Sequence, residues 1–346
     1  MRKKILYSLL VLPGVVALVF VMFQGFGDPA RLILGQSGDK KTMENIRKDL
    51  YLDQPKWKQF LLYANDISPI AYHSSEDIKK KNLKGFFFGG ENKLGIKVPY
   101  LRKSYQTKKD TWDVLSEALP ATLILALTAM LFACFFGILL GVLAAVKKGT
   151  VFDTTSMIIS IAGISAPSFF IAIIVAYFFG YVLHKYTGLN ITGSLYEMDE
   201  LTGERYLMIK NLILPAFTLG IRPLAVIAQL TRSSMLDVLQ QDFIRTAYAK
   251  GLSKTAVVFK HALRNALNPV ITAITGWFAE LLAGSFFIEY IFGWKGIGKV
   301  TVNALEKLDY PVVMGAVLLS AFIFICINIL ADFIYALVDP RIGNNG

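Results

Sequence analysis

The sequence predicts an all-α membrane protein with six transmembrane helices, and three observations carry that reading. Hydrophobic residues fill 54% of the 346 positions and the mean hydropathy is +0.51, which is too apolar for an ordinary soluble domain. These residues gather into six runs, at 5–23, 117–146, 154–183, 212–231, 269–292 and 312–337, each close to or above the ~20 residues that a spanning helix needs. Between the fourth and fifth runs lies a polar, basic stretch, 231–269, of the kind that meets a partner in water.

In chain order, Arg2, Lys3 and Lys4 precede the first run. That run is longer than the apolar part of a signal peptide, and Gln24, Gly25, Phe26, Gly27, Asp28 and Pro29 follow it with no small-residue cleavage site, so a retained first helix over 1–23 is expected. Residues 24–112 form a long polar segment with a Lys-rich middle at 79–84 and the sequence GFFFGG at 85–90, whose aromatics and glycines suit a small folded excursion. The remaining five runs belong to a core over 113–341. Pro120, Pro167, Pro215, Pro223 and Pro311 lie in or beside them, as membrane helices tolerate. Gly137, Gly141, Gly163, Ala279, Ala283 and Gly284 are small enough to let helices approach closely.

Within 231–269 the spacing predicts two short helices. Leu236, Leu239, Phe243 and Ala247 mark the apolar stripe of the first, and Gly251 supplies the left-handed residue that ends it. Ser253 caps the second, whose stripe is expected at Ala256, Phe259, Leu263 and Leu267 with Lys254, His261 and Asn265 opposite. Pro269 marks the exit into the next run. Ala247 and Leu252 are expected to close the turn hydrophobically.

This stretch resembles the cytoplasmic coupling loop, or EAA loop, of permease subunits in ATP-binding-cassette (ABC) importers, in the branch that carries dipeptides, oligopeptides and nickel. Arg245, Thr246, Ala247 and Gly251 stand where the pattern has Glu, Ala, Ala and, four residues on, Gly; His261 and Arg264 replace its later Ile and Pro. RTAYAKGLS followed by HALRNALNPV is the form of the peptide and nickel branch. GDPAR at 27–31, the LDQP element at 52–55 and FGWKGIG at 292–298 are similar to further motifs of the family. The resemblance runs from about 119 to 341, and more weakly back to residue 1. It implies a type I ABC importer permease fold with a long extracytoplasmic segment after the first helix. It also implies a second homologous permease, two cytoplasmic ABC ATPase subunits carrying ATP and Mg, and an extracytoplasmic solute-binding protein as partners. The cargo it implies is a peptide or a related small solute, and dipeptide, oligopeptide, nickel chelate and glutathione-like cargo all stay open.

Charge sets an expected orientation. With the N-terminus inside, the inner segments carry twelve Lys and Arg, among them Lys147, Lys148, Arg232 and Arg341, against six in the short outer loops. The basic 24–112 segment is long enough to translocate regardless of charge. Both termini are therefore expected in the cytoplasm. The net charge of +11 is assigned to orientation and anionic lipid headgroups, with no nucleic-acid role.

Enzyme chemistry finds no support. Residues 293–299, GWKGIGK, have the spacing of a phosphate-binding loop, but Val300 stands where such a loop needs Ser or Thr, and no strand precedes it. Its glycines read as turn formers. His73, His184 and His261 are expected in three separate loops, and the two cysteines, Cys134 and Cys326, lie singly inside apolar runs, so no metal or disulfide spacing is present. Without a nucleotide site, ATP hydrolysis falls to a separate subunit. An ion-coupled secondary transporter or channel is the alternative, for which Glu280 and Asp332 are the candidate intramembrane carboxylates. A non-transporting assembly factor is a third reading.

Two charges stand out within apolar runs. Arg222 sits in the fourth and Glu280 in the fifth, each at a cost of about 2.5–3.5 kcal/mol on insertion scales. Three readings stay open: they form a structural pair, Arg222 faces the translocation path and offers its fork to a peptide carboxylate, or Arg222 snorkels or lies at a span boundary set differently.

Overall fold

Helix α1 (Arg2–Gly25) takes up the first apolar run and continues through Pro13. The computed structural model describes residues 2–25, 43–44, 47, 51–199 and 202–338. The GDPAR element at 27–31 and Arg341 lie outside the described residues, as does the Asp332 side chain. The chain divides into two compact units, one of Leu6–Ala118 with Val300–Phe322, the other chiefly Leu119–Lys299 with the chain from Ile323 onward.

The first of these units corrects the all-α expectation. After α2 (Lys56–Ile67) come β1 (Ile70–Ser74), α3 (Ser75–Lys81), β2 (Gly85–Gly89) and β3 (Asn92–Lys97). The strands form an antiparallel sheet in the order β1-β3-β2. Helical periodicity never applied here: Leu94 and Ile96 alternate with Lys93, Gly95 and Lys97 at the two-residue period of a strand, and the GFFFG run at 85–89 is rich in strand-favouring aromatics. Cross-strand rows Tyr72–Leu94–Phe88 and Ile70–Ile96–Phe86 make one face of the sheet, and all six side chains are exposed. Gly95 is required at the centre, because a Cβ there would be 2.6 Å from the Phe86 carbonyl oxygen.

The other face of the sheet is mixed, with His73, Lys93 and Lys97 beside Ala71 and Phe87. Lys81 pairs with the buried Asp66 at 2.5 Å, and Lys97 donates to the Asp66 carbonyl. Burial pushes the Lys97 ammonium down to about 8. Burial also acts against the Lys81 charge, but attraction and hydrogen bonding to Asp66 outweigh it and leave its pKa raised. The Lys-rich stretch is thus a structural helix, N-capped by Ser74 on the Asp77 N–H, rather than loose surface. Phe20 of α1 packs on Phe60 and Tyr63 of α2, tying the apolar helix to this small domain.

The other apolar runs form α4 (Thr111–Val146), α5 (Val151–Ser165), α6 (Ser168–Val175, prolonged by a π-helical turn at Ala176–Val182), α7 (His184–Thr187) and α8 (Lys210–Leu239). A hairpin of β4 (Tyr196–Met198) and β5 (Arg205–Leu207) precedes α8. Then follow α9 (Asp242–Ala249), α10 (Lys254–Ala256), a π-helical turn at Val257–Ala262, α11 (Leu263–Gly284), α12 (Phe286–Ile291), α13 (Ile297–Glu306) and α14 (Tyr310–Val338).

Among the described residues three helices, α4, α8 and α14, are long and apolar enough to cross a membrane, and a fourth span exists if α5 and α6 count as one. That pair is bent by 109°, so the run at 154–183 is not one straight helix. Ala166 takes extended dihedrals because the ring of Pro167 disfavours a helical residue before it.

Of the small residues, Gly137 and Gly141 are seen to allow close helix approach. A Cβ on Gly141 would stand 2.6 Å from the Ala228 carbonyl oxygen, and one on Gly137 2.9 Å from that of Leu224. The two glycines, four apart on α4, let α8 approach backbone to backbone. Helix α8 also lies along α11 and α5.

Candidate functional site

The segment at 231–269 is built on a small apolar cluster. Val142 and Ala145 from α4, Met235 and Val238 from α8, Ile244 and Ala247 from α9, and Val257, Val258, Ala262 and Ala266 beyond the turn are buried together. Helix α9 is thereby pinned by two side chains three apart while the rest of its surface faces outward. Gly251 has φ +77°, as its position after the helix requires, and its N–H reaches the Tyr248 carbonyl at 2.9 Å. Ser253 Oγ accepts the Ala256 N–H at 3.3 Å and starts the next helix.

The apolar stripes, however, are out of phase with the sequence reading. Phe243 is exposed and Ile244 takes its place; Phe259 is exposed while Val258, Ala262 and Ala266 point inward. In the first stripe the helix breaks after Leu239, with Gln241 extended, and α9 restarts in a new phase; in the second, the π-helical turn at Val257–Ala262 winds wider than 3.6 residues per turn and shifts the buried face. Helix α11 carries the chain through Pro269 into the next apolar run without a break. Ala247 closes the turn as expected, but Leu252 is 39% exposed and does not.

What remains outward is a mixed surface. Phe243, Tyr248, Leu252 and Phe259 are exposed beside the exposed cations Arg245, Lys250, Lys254, Lys260 and Arg264. Arg245 reaches Asp242 at 3.4 Å, both side chains well solvated, and Thr246 Oγ1 donates to the Asp242 carbonyl. His261 is half-buried in the π turn.

A feature missed in the sequence anchors this end of the bundle. Asp153 on α5, 5% exposed, accepts Arg232 Nε at 2.5 Å and Nη2 at 2.8 Å from α8. The fork is bidentate, the stronger geometry for such a pair. Nothing in the local pattern marks Asp153 beyond its place in the first turn of a Thr-capped helix.

The GWKGIGK turn has a different explanation from the one its spacing suggested. Glu289, fully buried on α12, accepts the Ser285 hydroxyl at 2.8 Å and the Gly298 and Lys299 N–H groups at 2.7 and 3.4 Å. The amides that a phosphate would occupy already hold the protein's own carboxylate. Gly296 is glycine because a Cβ there would collide with Glu289 Oε2. Trp294, also fully buried, donates to the Ala121 carbonyl at 2.9 Å.

The histidines depart from the loop reading: His73 is buried in β1, His261 lies in the π turn, and His184, exposed at the start of α7, bonds the Leu189 carbonyl at 2.6 Å.

Arg222 on α8 and Glu280 on α11 line one cavity of about 70 Å³, with Ser168, Thr218, Pro223 and Trp277 among its other walls. The Arg222 guanidinium lies 5.8 Å from the centre of the Trp277 ring, within cation–π range. Among the described residues, no ion pair joins Arg222 to Glu280.

Comparison with known proteins is consistent with this architecture. Residues 137–344 match the family model described as binding-protein-dependent transport system inner membrane component, and residues 1–126 match its N-terminal counterpart. The chain is 37% identical to the di/tripeptide transport system permease protein DppB of Pseudomonas aeruginosa, covering 95% of this chain and 94% of that one. It is 36% identical to the dipeptide transport system permease protein DppB of Escherichia coli, over 96% of each. To the glutathione transport system permease protein GsiC of Escherichia coli it is 35% identical, over 91% of this chain and 89% of the other. A solved structure of the MetNI methionine ABC transporter in an inward-facing conformation matches with a TM-score of 0.51 at 19% identity, over 66% of this chain and 97% of that one, a likeness of fold.

Proposed function

The chain belongs to the binding-protein-dependent transport system inner membrane components, the permease subunits of ABC importers, and from that premise we propose that it forms half of the channel of an ATP-driven importer of dipeptides or closely related peptides. Near-complete coverage by relatives named for dipeptide, di/tripeptide and glutathione transport is the observation that carries the cargo class.

A second homologous permease completes the channel, two cytoplasmic ATPases drive it, and an extracytoplasmic binding protein delivers the peptide. The chain spans the inner membrane six times with both termini inside, so that residues 51–110 stand outside and 231–269 inside. The ATPases dock on the outward face of α9 and the following turn. Supporting that reading, exposed Phe243, Tyr248, Leu252 and Phe259 give apolar contact area, while Arg245, Lys250, Lys254 and Arg264 steer toward an acidic groove. The turn is held by the buried cluster beneath it, so a push on α9 is passed into the ends of α4 and α8. The Asp153–Arg232 fork carries the same displacement to α5.

Purification of the native complex tests the proposal. Mass spectrometry is expected to find two ATPase polypeptides or one in two copies, a second permease, and a binding protein loaded with a short peptide. A complex without an ATPase, or a chain that transports alone, would return the assignment to an ion-coupled carrier.

A further inference from the structure

The cavity at Arg222 and Glu280 contains an unsolved electrostatic problem. Each charge interrupts an apolar run, and the usual relief for two opposite charges at such a place is to bond each other. They share a cavity and do not: both are exposed and, among the described residues, neither is in an ion pair. Arg222 is instead held over the Trp277 ring, and Trp277 precedes Glu280 by three residues on α11, so ring and carboxylate project from the same side of that helix. Pro223 next to Arg222 has no main-chain N–H to return to the Leu219 carbonyl, which adds an acceptor to the same wall.

Opposite charges kept apart on one wall fit a ligand that carries both. A simple cation satisfies Glu280 and leaves Arg222, and a simple anion does the reverse. A peptide with free termini satisfies both at once. We propose that Arg222 and Glu280 form a two-ended cradle for the zwitterionic main chain of a short peptide in transit, Arg222 taking the carboxylate in its fork and Glu280 the ammonium. Arg222 and Glu280 are thereby positioning groups for cargo, which deepens and rests on the reading of the chain as a peptide permease.

The test uses the whole complex with its binding protein in proteoliposomes, measuring dipeptide uptake and ATP hydrolysis together. Arg222→Gln and Glu280→Gln are each expected to lower uptake per ATP hydrolysed at least tenfold, with normal protein levels and normal stimulation of hydrolysis by loaded binding protein. The double change should be no better than the worse single change, and Glu280→Asp, which keeps the carboxylate, should stay within a few-fold of the unaltered protein. Unchanged uptake in both single variants overturns the cradle. So do protein levels that fall in each single variant and recover in the double, since that is the signature of a structural pair. Absence of peptide uptake by the unaltered complex removes the permease reading itself, and the cradle with it.

Discussion

Glu289 shows how one side chain decides the character of a turn. Three donors converge on its carboxylate inside a closed site, and two glycines leave the room it needs. Truncating it removes the acceptor and leaves those donors buried, at about 1–3 kcal/mol for each orphaned group. Glu289→Ala is therefore expected to lower the melting temperature in detergent by on the order of 10 °C, read by a thiol- or tryptophan-based thermal shift. A melting temperature within 2 °C of the unaltered protein, on this order-of-magnitude scale, would show that the hydrogen bonds contribute little. At the same scale Arg222 and Glu280 were legible as anomalies of composition, because a charge in an apolar run is visible in any hydropathy scan. Whether they pair was not, since that depends on how two helices 58 positions apart in the chain are rotated.

At the level of elements, the turn after α9 was the most readable part of the chain. A glycine following a helical stripe and preceding a capping serine leaves little choice, and Gly251 indeed lies at φ +77°. Among the described residues, chain neighbours apart, no atom stands within 4 Å of where its Cβ would be, so a Cβ there meets a conformational penalty and no clash. Gly251→Val should cost on the order of 1–2 kcal/mol and impair ATPase association and transport, whereas Gly251→Asn, which tolerates this region, should retain most of both. Equal behaviour of the two variants in a pull-down of the ATPase would remove backbone geometry as the cause. The stripes around the turn leave a single periodicity because a break at Gln240–Gln241 separates α8 from α9 and the turn that follows is π-helical, and a periodicity count marks neither. Likewise Asp153 and Arg232, 79 residues apart, carry no shared local signal.

For the whole molecule, the positive charge along the chain argues for one orientation, and that is open to direct test. Single cysteines at the exposed positions Lys79 and Lys250, in a background with Cys134 and Cys326 changed to Ser, should differ in reach. A membrane-impermeant maleimide added to intact cells with a permeabilised outer envelope is expected to label Lys79→Cys and to spare Lys250→Cys until the membrane is opened. The reverse pattern would invert the topology and put the α9 surface on the wrong side for ATP.

The sequence by itself determined that this chain belongs in a membrane and where the motif-bearing turn lies. Those properties follow from hydrophobic content and local backbone preference, which a linear pattern records directly. Only the tertiary structure decided that residues 70–97 make a sheet with an apolar outward face and that the 154–183 run bends by 109°. It alone revealed that a carboxylate fills the glycine turn and that Arg222 and Glu280, from two different apolar runs, share a cavity without an ion pair. Each of these is settled by contacts between residues far apart in the chain, whose mutual orientation is fixed when helices pack and not by the residues on either side.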